Sequence, residues 1–174
     1  MANPTMTLIG SPITVGSGGV ASVTFSSIPS TYTDLMLKCS IRASSTSGNS
    51  NFFVVFNGVY GTSYSQIRLL GDGATPSSNQ NSSYPWVEIS SVIPNATYTS
   101  NTFGSCDIYI PNYAGSTYKS VSVDYVSENN ATTSYNYLDA GLFSDTTAIS
   151  SITLDGTDNF VQYSSFSLYG IKNS

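Results

Sequence analysis

The chain has 174 residues, a net charge of −5, a pI near 4.2 and only 9% charged residues. Five Lys and Arg cannot form the basic patch that neutralises nucleic-acid phosphates, and an acidic chain is repelled by an anionic membrane surface. The absence of His removes Ser-His-Asp and Cys-His catalysis and the commonest transition-metal ligand.

Polar surface must then come from Ser, Thr, Asn and Gly, and Ser and Thr are nearly twice as frequent as average usage gives. Disordered chains lack aromatic and β-branched residues, whereas this one has 13 Tyr, 8 Phe and many Val, Ile and Thr. The same residues favour strands. The length suits one domain, expected to span residues 1–174.

In chain order, Met1–Ser11 lacks the basic start and long apolar run of a secretory signal. Met1–Ile13, with Pro4 and Pro12, reads as a lead segment in which Thr7-Leu-Ile is a short edge strand. Val20–Ile28 alternates, burying Val23 and Phe25. Asp34–Arg42 is the clearest strand: Leu35, Leu37, Cys39 and Ile41 on one face, Met36, Lys38, Ser40 and Arg42 on the other. It is expected to have Arg68 within reach, and Arg42 and Arg68 are expected to pair with Asp or Glu, since partly buried charges need partners.

Ala43–Ser50 is an exposed loop. Asn51–Phe56 is apolar on both faces, as in a central strand. Asn57-Gly58 predicts a hairpin, because both residues tolerate positive φ, with Tyr64–Leu70 as the return strand. Gly71–Ser83 reads as a long surface loop. Trp86–Val92 is a strand, Asn95–Asn101 a polar loop, Thr102–Ile110 and Tyr118–Val126 two more strands, and Glu128–Thr133 a turn.

Tyr135–Phe143 carries a helical signal in Leu138, Leu142 and Ala140, but Gly141 and the aromatics favour a strand. Ala148–Leu154 and Ser164–Ile171 are the last strands, separated by Asp155–Tyr163. About ten strands, regular turn signals and no major helix predict an all-β antiparallel β-sandwich, jelly-roll-like.

Chemical signals are sparse. Cys39 and Cys106 either pair across the sandwich or stay as two buried thiols; synthesis in a cytoplasm favours the thiols. Asn81-Ser-Ser, Asn95-Ala-Thr and Asn130-Ala-Thr match glycosylation triplets, without a secretory route to use them. Asp124 with Glu128, or Asp139 with Asp145, would be the carboxylate pairs of a glycosidase, but scattered acids give such neighbours by chance. Asp155-Gly-Thr-Asp158-Asn159 resembles half a calcium loop without its closing glutamate and reads more simply as an Asp-Gly turn. No catalytic residue, metal ligand or cofactor is assigned, and the chain is not read as an enzyme.

Tyr84 and Trp86, with Tyr113 and Tyr118, form a candidate aromatic surface that stacks on a sugar or anchors an interface. The plainer alternative is that the core absorbs these rings. Met6, Leu8 and Ile9 are the apolar residues of a candidate docking arm, Met1–Ser11, that would add a strand to a neighbour.

Several stretches, in order, resemble one family. They are Met6-Thr-Leu-Ile-Gly-Ser-Pro-Ile-Thr-Val, Phe25-Ser-Ser-Ile-Pro-Ser-Thr-Tyr-Thr-Asp-Leu, Phe56-Asn-Gly, Tyr64-Ser-Gln-Ile-Arg-Leu-Leu-Gly-Asp-Gly and Ile108-Tyr-Ile-Pro-Asn-Tyr. Ala148-Ile-Ser-Ser-Ile-Thr-Leu and Ser165-Phe-Ser-Leu-Tyr-Gly-Ile-Lys-Asn-Ser complete the set. Together they are similar to small virion structural proteins of tailed bacteriophages, of the type frequent in cyanophages and other aquatic phages. The resemblance implies a β-sandwich particle component, made in the host cytoplasm and ending in the virion. Such a protein would be a capsid decoration (cement) protein on the major capsid protein, expected as a homotrimer, or a tail or fibre component touching another virion protein. In the fibre case a receptor- or carbohydrate-binding module for a host surface glycan is the alternative. The resemblance supplies no catalytic residues, no nucleic-acid partner and no membrane partner.

Overall fold

A computed structural model describes residues 5–129, 132 and 134–172. Among them are thirteen strands: β1 (Met6–Leu8), β2 (Ile13–Thr14), β3 (Val20–Phe25), β4 (Asp34–Ile41), β5 (Phe52–Phe56), β6 (Tyr64–Gly71), β7 (Ser77–Tyr84), β8 (Val87–Ser90), β9 (Gly104–Ile110), β10 (Lys119–Glu128), β11 (Ser134–Phe143), β12 (Ile152–Phe160) and β13 (Ser165–Ile171). No helix occurs among the described residues. Every strand pair is antiparallel.

The strands form a β-sandwich of unequal sheets. The larger has nine strands in the order β1-β13-β4-β9-β10-β11-β6-β7, with β2 also on β13; the smaller runs β3-β12-β5-β8. One apolar cluster fills the space between them. Leu35, Leu37, Cys39 and Ile41 enter it from β4, and Phe52, Val54 and Phe56 from β5. β5 is buried on both faces, as its unbroken apolar run predicts. At Gly141 the sheets come so close that a Cβ would stand 3.0 Å from a Val87 methyl.

Several expectations change at the level of strand pairing. The Asn57-Gly58 turn forms, with φ of 53° and 67°, and Val59 N–H donates to the Phe56 carbonyl across it. It does not make a hairpin: β5 lies in the small sheet and β6 in the large one. The Asn57 side chain instead accepts from the Ser150 and Ser151 amides and donates to the Ala148 carbonyl, which fixes the approach to β12. Turn chemistry is local, but the choice of ladder partner depends on distant strands.

Most of the Gly71–Ser83 stretch is not a loop. Ser77–Tyr84 is the edge strand β7, exposed along most of its length, so no apolar alternation announces it. Asp155–Phe160 continues β12 rather than turning. Asp158 accepts from Ser50 Oγ and Thr157 Oγ1, and a register irregularity absorbs the Gly156 step. Among the described residues no group of three or more His, Cys, Asp or Glu could hold a metal ion. Tyr135–Phe143 lies in a strand, β11. The expected Glu128–Thr133 turn falls partly outside the described residues.

Candidate interaction surface

Strand alternation dictates that apolar residues of a half-buried strand face the core. β6 and β11 reverse that rule. On β6, Gln66 and Arg68 point inward and are buried, while Ile67 and Leu69 point outward, 54% and 56% exposed. On β11, Asp139 is buried and Leu138 is 46% exposed. Val126 on β10 joins the same outer face.

The register shows why the pattern is fixed. A slip of one residue would bury Ile67 and Leu69, but it would expel Tyr64, Tyr137 and Phe143, three fully buried rings on the same strands. Tyr64 and Phe143 stack with centroids 4.9 Å apart, and Tyr64 Oη receives the Phe56 amide and donates to the Val59 carbonyl. These anchors outweigh the two aliphatic side chains left outside.

The inward polar groups satisfy one another. Arg68 Nε lies 2.7 Å from Asp139 Oδ1, and its Nη1 lies 3.5 Å from Glu88 Oε1. Arg68 Nη2 donates to the Glu88 carbonyl at 2.7 Å. Gln66 receives the Glu88 amide at 2.7 Å and returns a bond to the Glu88 carbonyl at 3.2 Å. Two side chains of the large sheet thus cap the edge strand β8 of the small one. The Arg68 guanidinium also lies 4.8 Å from the Tyr137 ring centroid. Burial lifts the Asp139 carboxyl to about 6, although Arg68 pulls the other way.

On the outside, neighbouring strands line up in rungs. One runs Ile67–Ala140–Ser122–Tyr109–Met36–Tyr169–Leu8, and the next Leu69–Leu138–Asp124–Asp107–Lys38–Ser167. Ile67, Leu69 and Leu138 border a shallow groove of about 400 Å³ that also reaches Ser122 and Ala140. Beside it, two carboxylates face each other across β9 and β10. Lys38 Nζ, 2.6 Å from Asp107 Oδ2, neutralises one of them. Asp124 has no hydrogen bond or ion pair among the described residues.

The aromatic residues singled out from sequence fall into different places. Tyr84 and Trp86 come together, with centroids 5.6 Å apart and rings nearly perpendicular, and Trp86 stacks on Phe53 at 4.2 Å. Both are half-buried. Tyr113 cannot belong to a surface: it is fully buried and its hydroxyl donates to the Pro29 carbonyl. The Pro111-Asn112 turn tucks its ring inward, which spacing alone does not reveal. Tyr118 is exposed, and no ring contact joins it to the others among the described residues.

The expected docking arm is paired within its own chain. Met6, Thr7 and Leu8 lie opposite Ile171, Gly170 and Tyr169 of β13, and Ile9 N–H donates to the Leu168 carbonyl. Met6 and Leu8 are partly exposed and Ile9 packs against the core. Residues 1–4 lie outside the described residues.

Arg68 lies four strands from β4, not beside it, and it has the carboxylate partners expected. Arg42 does not: its guanidinium donates to the carbonyls of Asn95, Tyr98, Thr99 and Thr102. Asp139 and Asp145 are held apart in role, the first by Arg68 and the second by the Thr147 amide. Cys39 and Cys106 are free thiols, directly opposite on adjacent strands of one sheet and not across the sandwich.

The outward aliphatics escaped the sequence reading, yet a signal was present. In Tyr64–Leu70 the residues in phase with the buried Tyr64 are Gln66 and Arg68, so one face must bury charge while the other exposes Ile67 and Leu69. No family model matches the chain, and no curated protein matches it.

Proposed function

We propose that the chain is a non-enzymatic structural protein of a tailed-bacteriophage virion, a decoration protein that binds the outer surface of the capsid. The observation that carries this reading is the reversed face of β6 and β11. Large aliphatic side chains stand in solvent on a nine-stranded sheet while charge is buried beneath them. Contiguous exposed apolar patches on a folded domain mark binding surfaces. The groove on this face is shallow and open and is lined by aliphatic side chains with few polar groups, which suits a protein surface better than a small molecule that needs an enclosing site with convergent polar groups. The ordered resemblance of the chain to small phage virion proteins supports the same reading.

A second reading, a carbohydrate-binding module of a tail fibre, draws on the Tyr84–Trp86 pair. Phe53 already occupies one face of the Trp86 ring, which leaves less of it for a sugar. A glycan array separates the two: saturable binding lost on Trp86→Ala supports the fibre module.

The test is the copy number of the chain in purified particles of the phage that encodes it, measured by mass spectrometry against the major capsid protein. A ratio of one per capsid subunit, or a simple fraction such as one third, is expected. A few copies to a few tens per particle moves the protein to the tail or a vertex. Its absence from the particle overturns the proposal.

A further inference from the structure

We infer that the outer face of β6, β10 and β11 docks a different protein, one that presents apolar side chains beside an Arg or Lys which pairs with Asp124. The inference rests on the proposed decoration role and names the surface and partner chemistry it uses.

The apolar part consists of Ile67, Leu69, Leu138 and Val126, all outward and contiguous across three adjacent strands. Asp124 lies directly opposite Leu138 on one side and Asp107 on the other. Like charges directly opposite on a sheet are unfavourable. Lys38 relieves Asp107 only, so one negative charge remains at the border of the apolar patch. An apolar centre with one unneutralised charge at its rim selects a partner of opposite charge.

A second copy is a poor source of that cation, because four of the chain's basic side chains are engaged and the fifth lies far from this face. It has five Lys and Arg. Lys38 is paired with Asp107, Arg42 is bound to loop carbonyls, and Arg68 lies in its buried ion pairs. Lys119 is buried and donates to the Thr117 and Asp145 carbonyls. Lys172 follows β13, beside β1 at the far side of the sheet, with its ammonium 5.9 Å from the Tyr32 ring centroid. Two copies stacked patch on patch would instead add a second Asp124 carboxylate to the same interface. The occupant is therefore a protein surface with its own basic residue, as a capsid lattice would present.

The experiment uses particles of a deletion phage that lacks the chain, incubated with purified full-length protein and pelleted. Wild type is expected to bind saturably and to weaken as salt rises. Leu138→Ser and Asp124→Lys are each expected to raise the half-saturation concentration at least tenfold. Ser22→Lys, on the exposed face of the other sheet, is expected to leave it unchanged. All three sites are exposed, and thermal melting confirms that the variants fold. Wild-type binding that both patch variants retain overturns this surface and leaves the decoration role standing. Failure of the wild type to bind overturns both. Sedimentation that shows wild-type self-association abolished by Leu138→Ser assigns the face to a second copy and overturns the inference.

Discussion

The Arg68 guanidinium holds the Asp139 carboxylate at 2.7 Å beneath a sheet face that carries leucines on its outside. This contact satisfies the charges that the ring-selected register of β6 and β11 carries inward, because each residue of the pair sits in phase with the buried rings of its strand. Removing one partner of a buried pair strands the other charge, whereas the pair itself is worth little more than apolar packing.

The Asp139 carboxyl has a folded-state value of about 6, against 3.8 for the free side chain, because burial outweighs the pull of Arg68. Below pH 4 both folded and unfolded chains hold this proton. Between about pH 4 and 6 only the folded chain keeps it, and above pH 6 both have lost it. The contribution of Asp139 therefore makes the protein less stable as pH rises from 4 to 6, by a few kcal/mol at most at about 1.4 kcal/mol per unit. Carboxyl NMR should show a midpoint near 6 for Asp139. In Asp139→Asn, the loss of denaturation free energy between pH 4 and pH 7 should be smaller than in the wild type.

Arg42 should be the main fastener of the loop between β8 and β9. Its guanidinium serves carbonyls at both ends of Asn95–Thr102, with bonds of 2.9 Å to Thr99 and Thr102. A planar fork can reach divergent carbonyls that a Lys ammonium cannot. Arg42→Lys is expected to cost about 2 kcal/mol, in the range of hydrogen bonds from charged donors. Hydrogen exchange at residues 95–102 should accelerate while β10 and β11 stay protected.

Gly141 is set by distance and not by backbone conformation. A Cβ there would lie 3.0 and 3.1 Å from the two Val87 methyls and 3.4 Å from Val121 Cβ. Gly141→Val is expected to destabilise by about 3 kcal/mol through overpacking. Val87→Ala should recover part of that loss in the double variant, since residues in contact do not act additively. Urea denaturation of the four proteins in the cycle measures the coupling.

Cys39 and Cys106 should be silent towards alkylating reagents in the folded protein. Both thiols are buried, and burial and then contact with Cys39 push the Cys106 thiol well above its usual range. The thiolate is the reactive form, so native protein at neutral pH should take up no iodoacetamide over hours. Two equivalents should react in denaturant. Labelling of one residue in native protein would mean that β4 and β9 open locally.

The β class was legible from the chain itself, because alternation along Asp34–Ile41 and Gly104–Ile110 reports a strand with one dry face, and that pattern is local. Phe52–Phe56 announced a central strand for the same reason. The Asn57-Gly58 turn was legible too, since positive φ is a property of those two residues. What lay beyond the turn was not: β5 and β6 enter different sheets, and ladder partners are chosen by contacts far apart in sequence. β7 was invisible because an edge strand wet along most of its length needs no apolar period. Tyr113 reads from sequence as a surface candidate with the core as the plainer alternative, and only the fold decides for the core by setting its hydroxyl on the Pro29 carbonyl. The outer face of β6 and β11 was decided only in three dimensions. A strand with charged and aliphatic residues on opposite faces has two registers of opposite polarity. Here Tyr64, Tyr137 and Phe143 selected the one that buries Arg68 and leaves Leu69 and Leu138 outside.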